Sequence, residues 1–164
     1  MPVTYTPIAS QTLSSSATTV TFSSIPSTYT DLVLVTNAAA TTNTFGEIRF
    51  NSDTATNYSR TVIYGDGSSA ISFIDTTDPN GFNYDFVPAS LGNIATFHIM
   101  NYANTTTFKT TLARVNNAYS GGATEAMVAL WRSTSAITTV TLALNSTHSY
   151  IAGSTFTLYG IKAA

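Results

Sequence analysis

The two histidines are the first residues to consider for chemistry, because imidazole serves as a general base and as a metal ligand near neutral pH. His98 lies between Phe97 and Ile99, so in an extended strand it shares a face with Thr96 and Met100. His148 lies in the polar segment 145–149. We predict that His98 is a hydrogen-bonded side chain on the outer sheet face and that His148 has a surface role. Their separation and the lack of an HExxH pattern argue against a shared metal site.

Nucleophilic catalysis finds no support in the motifs of this chain. The chain has no cysteine, which excludes cysteine nucleophiles, thiolate zinc sites and disulfides. Serine occurs 19 times, but neither a GxSxG elbow nor an SxxK motif is present. The GDG sequence at residues 65–67 is too short for a phosphate-binding loop and predicts a tight turn. We therefore expect a protein that is not an enzyme.

Two loops collect oxygen-bearing side chains. One contains Asn51, Asp53 and Asn57, and the other contains Asp75 and Asp78. Calcium favours such loops, but Asn and Asp also form turns by bonding to their own backbone, and this is the interpretation we favour. We expect no metal and no cofactor. A paired-carboxylate glycan hydrolase, with Asp53 or Asp85 as its acid or base, is a further hypothesis.

The composition of the chain excludes several classes of function. Its 164 residues include 31 Thr and 19 Ser but only 14 charged side chains, and the net charge is −2. Nucleic-acid binding depends on neutralising phosphates, and six scattered cations form no basic patch for it. No apolar run is long enough to span a bilayer, and the N-terminal sequence does not resemble a secretory signal. We expect a protein made in the cytoplasm that binds neither nucleic acid nor membrane.

Period-two hydrophobic patterns indicate the elements that must position any site. Short runs rich in Val, Ile, Thr and aromatic residues recur along the chain, separated by Gly, Pro, Asn and Asp. We predict an all-β fold in which residues 1–164 form a single antiparallel β-sandwich, jelly-roll-like, of about ten strands. The predicted strands are 18–22, 31–36, 47–50, 58–64, 71–74, 82–86, 94–100, 108–115, 126–131, 140–144 and 156–161. Because the outward positions carry Thr and Ser rather than Lys and Glu, the sheet edges lack the usual protection by charge.

The segment 126–131 is apolar at every position, so both faces of its strand must avoid water. One explanation is burial on both sides within the sandwich. The other is a subunit interface, for which we select Met127, Val128, Leu130 and Trp131 as candidate residues. Trp131 and the nine tyrosines could instead stack on sugar rings.

Four sequence blocks carry a resemblance that extends over most of the chain. They are TVTFSSIPSTYTDLVLV at 19–35, IRFNSD at 48–53 followed by NYS and YG, LW at 130–131 followed by ITTVTL, and GSTFTLYGIK at 153–162. In this order they resemble a group of small bacteriophage virion structural proteins. The resemblance implies a non-enzymatic component of the virion exterior, made in the host cytoplasm. It supplies no catalytic motif and does not distinguish head from tail.

These observations together predict a virion structural protein that stabilises the particle as a decoration, cement or tail-accessory subunit. The expected partners are other virion proteins of the capsid or tail and further copies of the chain, with a trimer as one option. The alternative is a carbohydrate-binding module of a tail fibre or spike that recognises a host surface glycan.

Overall fold

The computed structural model describes residues 4–90, 93–117, 123–145 and 147–162, and these residues form twelve β-strands. Within these ranges no helix is long and apolar enough to cross a membrane. The strands are β1 (Tyr5–Thr12), β2 (Thr19–Phe22), β3 (Asp31–Ala38), β4 (Thr44–Phe50), β5 (Tyr58–Gly65), β6 (Ala70–Asp78), β7 (Phe82–Val87), β8 (Asn93–Met100), β9 (Lys109–Asn117), β10 (Thr124–Trp131), β11 (Val140–Leu144) and β12 (Thr155–Ile161).

The strands form two antiparallel sheets of unequal size. The larger has eight strands in the order β1-β12-β3-β8-β9-β10-β5-β6, and the smaller has four in the order β2-β11-β4-β7. The predicted all-β antiparallel fold is confirmed. The count exceeds the prediction because β1 was not predicted from the sequence, in which Pro7 interrupts the strand pattern.

The two sheets enclose one hydrophobic core. In the clearest segments every second residue points inward, as in β12, where Phe156 and Leu158 are fully buried. Rings of Phe50, Tyr58 and Trp131 pack together, with the centroids of Phe50 and Trp131 5.7 Å apart. The core therefore fixes which face of each strand points away from it.

The inequality of the sheets leaves β6 without cover. In its neighbour β5 every second residue from Tyr58 to Val62 is buried, whereas none of the nine residues of β6 is buried. Of this strand only Phe73 packs against the core, so the four-stranded sheet shields little of the last strand of the larger sheet.

Candidate interaction surface

The outer side of the eight-stranded sheet carries a group of exposed aliphatic side chains. We call this group the outer apolar face, and its members are 43–65% exposed: Ile63, Ile74, Ile94, Leu112 and Val128. Strand register connects them, because Val128 pairs with Leu112 on one side and with Thr61 on the other, and Thr61 pairs with Ile74. Exposed apolar groups that share one face typically mark interaction sites.

The local sequence explains why these side chains point outward. In β10, Met127 and Ala129 are buried in the core, so the pleat turns Val128 to the opposite side. The same alternation turns Ile63 outward next to buried Val62. Outward positions of a one-sided sheet are normally polar, yet here aliphatic residues alternate with Thr and Ala. The outer apolar face is thus a departure from the pattern that solvent alone would favour.

Two depressions lie over this face. One encloses about 570 Å³ and is lined by residues that include Ile94 and Thr124. The other encloses about 540 Å³ and is lined by residues that include His98, Leu112 and Val128. Both share Ile63, Thr96, Arg114 and Ala126 in their walls. The surface can therefore receive side chains that project from a partner.

Few charges lie near the outer apolar face. The His98 Nε2 is 2.9 Å from Oδ2 of Asp31, and the other oxygen of Asp31 accepts a hydrogen bond from the amide of Asn101. Arg114 is exposed beside Ala126, its partner in β10. The expected hydrogen-bonded role of His98 on the outer sheet face is confirmed. His148 lies elsewhere, in the segment between β11 and β12.

The four residues selected from the sequence separate onto two sides of β10. Met127 and Trp131 point into the core, where Trp131 is only 2% exposed. Val128 is exposed and Leu130 is half-buried on the outer side. Only Val128 and Leu130 are therefore available to a partner, and the ring of Trp131 cannot stack on a sugar.

The Asn51–Asp53–Asn57 group serves the fold rather than an open ligand site. Oδ2 of Asp53 accepts hydrogen bonds from Nε1 of Trp131 at 2.7 Å and from Nδ2 of Asn57 at 2.8 Å. Burial tends to raise the pKa of Asp53, but hydrogen bonds from Asn57, Trp131 and the Ala55 amide lower it overall. Oδ1 of Asn51 accepts from the Thr138 amide at 2.8 Å. The loop oxygens thus already have protein partners.

The second carboxylate pair is held by an arginine. Arg60 lies 2.8 Å from Oδ2 of Asp75 and donates to the Asn83 carbonyl at 2.9 Å, which ties β5 to β6 and β7. Burial and the charge of Asp75 raise the pKa of Asp78, and Arg60 opposes this effect. Across the described ranges no group of three or more His, Asp or Glu could hold a metal ion. The side chain of Asp85, the other carboxylate of the hydrolase hypothesis, lies outside the described residues.

Sequence reasoning selected Val128 but did not select Ile63, Ile74, Ile94 or Leu112. Their signal was present in the alternation of each strand, because Ile63 lies opposite Val62 and Tyr64. The patterns of the separate strands could not be combined into one surface, since the sequence does not say which strands are neighbours. The order β8-β9-β10-β5-β6 brings the five residues together.

No protein-family model matches the chain. No curated protein is significantly similar to it either. The fold and the outer apolar face therefore carry the functional argument, together with the sequence blocks described above.

Proposed function

We propose that this chain is a non-enzymatic structural subunit on the exterior of a bacteriophage virion, where it acts as a decoration, cement or tail-accessory protein. The observation that carries the proposal is the outer apolar face, with five exposed aliphatic side chains on one side of the larger sheet. Burying apolar surface is the main favourable term in association. The resemblance of four sequence blocks to virion structural proteins supports the same function.

The partner that fits this surface is an apolar, charge-poor area of a neighbouring virion protein. Hydroxyl and aliphatic groups lose less solvation on burial than ions do. Thr61, Thr96 and Thr124 surround the aliphatic residues, and the ionisable side chains near them are Arg114, Glu125 and the Asp31–His98 pair. Such a surface suits a fixed position in an assembly.

Locating the chain on the particle tests the proposal. Phage particles from a genome that lacks the gene for this chain would be mixed with the purified, tagged protein and imaged. We expect stoichiometric density on the outside of the head or tail. Failure to cosediment with these particles at saturating protein would refute the proposal.

The second candidate, a glycan-binding module, has one observation in its favour. Tyr5 is exposed and borders the 540 Å³ depression, which also contains His98 and Arg114. An exposed aromatic ring beside polar groups suits a sugar. Glycan-array binding that is lost in Tyr5→Ala but retained in Phe108→Ala, another exposed aromatic position, would favour this function.

A further inference from the structure

The free edge of β6 differs from the three other edges of the two sheets. β1 contains Pro7, and its register with β12 shifts between Pro7 and Ala9. β2 has only four residues, and the pairing of β7 with β4 is irregular between Thr44 and Gly46. Proline, short length and bulges are the means by which proteins protect edges from pairing. β6 has nine residues without proline or lysine.

The N-terminal part of β6 is a regular strand. From Gly65↔Ala70 to Arg60↔Asp75 its pairing with β5 proceeds without a shift. The irregularity lies beyond Asp75, where the Thr76 carbonyl accepts a hydrogen bond from Arg132. Within the described residues β6 pairs with β5 alone. Ala70–Ile74 is thus an uncharged and regular segment with an open backbone edge.

We propose that β6 pairs antiparallel with β6 of a second copy of the chain, with the two-fold axis at Ser72. In this register Ile71 lies opposite Phe73 of the second copy, and Ala70 lies opposite its Ile74. Each pair matches apolar with apolar, Ile71 with Phe73 on the core side of the sheet and Ala70 with Ile74 on the outer side, and such cross-strand pairs stabilise neighbouring strands. The two eight-stranded sheets become one continuous sheet.

Charge selects this register over its neighbour. Moving the axis to Phe73 places Asp75 opposite Ile71 and leaves the contact of Phe73 with its own copy as the single apolar pair. With the axis at Ser72, the two copies of Asp75 are six residues apart along the strand, or about 20 Å at roughly 3.4 Å per residue. This separation exceeds the Debye length of about 8 Å at physiological salt. Asp75 is also paired with Arg60 within its own chain.

The inference goes beyond the proposed function, because the partner here is a second copy that pairs with the backbone edge of β6; of the outer apolar face only Ile74 lies on this strand. A two-fold pair is closed and uses the same segment twice. Five paired residues a side bury less than the standard 800 Å² or so per partner, so we expect a weak dimer in solution.

Cysteine trapping tests the register directly, because the chain has no cysteine of its own. In Ser72→Cys the two thiols face each other across the axis, within the Cα separation of about 4.4–6.8 Å that a disulfide spans. Ser10→Cys is the matched control, since Ser10 is exposed on the edge strand β1. Under mild oxidation we expect a disulfide dimer to form at least tenfold faster for Ser72→Cys. Equal rates would overturn the proposal.

Sedimentation velocity of the full chain tests the pairing without a covalent link. Ile71→Lys places a cation at an exposed position of β6 that is not part of the outer apolar face, and we expect the dimer Kd to rise about tenfold or more. Phe108→Lys is the exposed control and should leave the Kd unchanged. A wild-type chain that stays monomeric up to about 1 mM, far above the range expected for even a weak interface, would overturn the pairing. Binding of Ile71→Lys to phage particles is measured in parallel. A weaker dimer that still binds the particles separates the pairing of β6 from the proposed function.

Discussion

The double variant Ile63→Thr/Val128→Thr should weaken binding to the virion without unfolding the chain. Both residues belong to the outer apolar face and lie on adjacent strands, because Ile63 pairs with Ala126 and Val128 pairs with Thr61. Threonine keeps the branched shape and the β propensity of the original residues. Exposed positions of this kind usually change the free energy of unfolding by less than about 0.5 kcal/mol.

The size of the effect follows from what each side chain still exposes. Complete burial of a Val or Ile side chain is worth about 1.5–3 kcal/mol. Because 65% of Ile63 and 49% of Val128 is exposed, covering them contributes about 1–2 and about 0.7–1.5 kcal/mol on the same scale. Threonine retains one methyl group of each, so we expect a loss of about 2 kcal/mol, or roughly a 30-fold increase in Kd.

The assay is cosedimentation of the purified chain with phage particles that lack it, over a range of protein concentrations. Phe108→Thr is the control, because Phe108 is also exposed but precedes β9 outside the outer apolar face. Thermal unfolding of each variant verifies the fold. If the double variant binds as tightly as the wild type while Phe108→Thr does not, the surface has been assigned to the wrong side of the molecule.

Three further predictions concern the core. In Gly46→Ala the added methyl group would overlap the ring of Tyr84, and we expect a loss of about 1–3 kcal/mol and a Tm lower by several degrees; an unchanged Tm would contradict the packing. Burial raises the pKa of Tyr84 from 10.0 to about 12, so its contribution to stability is complete below pH 10 and is lost as the pH rises toward 12. Tyr84→Phe also loses the hydrogen bond with Tyr150. We expect urea unfolding of this variant to show a smaller loss of stability at alkaline pH than the wild type. Equal losses would refute the assignment of this pH dependence to Tyr84. Asp53→Ala removes the acceptor of the Trp131 indole N–H and should cost about 1–3 kcal/mol at pH 7. Because the pKa of Asp53 in the folded state lies below its ordinary value of 3.8, the difference in stability from wild type should shrink as the pH falls below 3.8. Trp fluorescence during unfolding measures this difference.

Much of the strand pattern was predictable from local alternation. The eleven predicted strands all correspond to observed strands, because Val, Ile, Thr and aromatic residues at period two are typical of a half-buried pleat. β1 was missed because its residues are only partly buried and carry a weak pattern. β6 was predicted too short for a related reason, since Phe73 alone of this strand packs against the core.

The individual sites were predictable only in part. The turn role of Asp53 followed from residue type, but its bond to Trp131 joins residues 78 positions apart and has no sequence signal. Lys109 is fully buried beside exposed Phe108, which reverses what hydrophobicity predicts. Its Nζ donates to the Thr107 carbonyl at 2.8 Å and to the Thr134 carbonyl at 3.3 Å, and only the folded chain supplies the second acceptor.

The sequence alone determined the fold class, the strand periodicity and the charge-poor, hydroxyl-rich surface, because these depend on residue type and on neighbours along the chain. The tertiary structure decided which apolar residues face outward together. Val128 and Leu112 are neighbours through strand pairing, and Trp131 is buried because the smaller sheet covers that side of β10. Strand order and sheet size depend on contacts between distant residues, which local patterns do not encode.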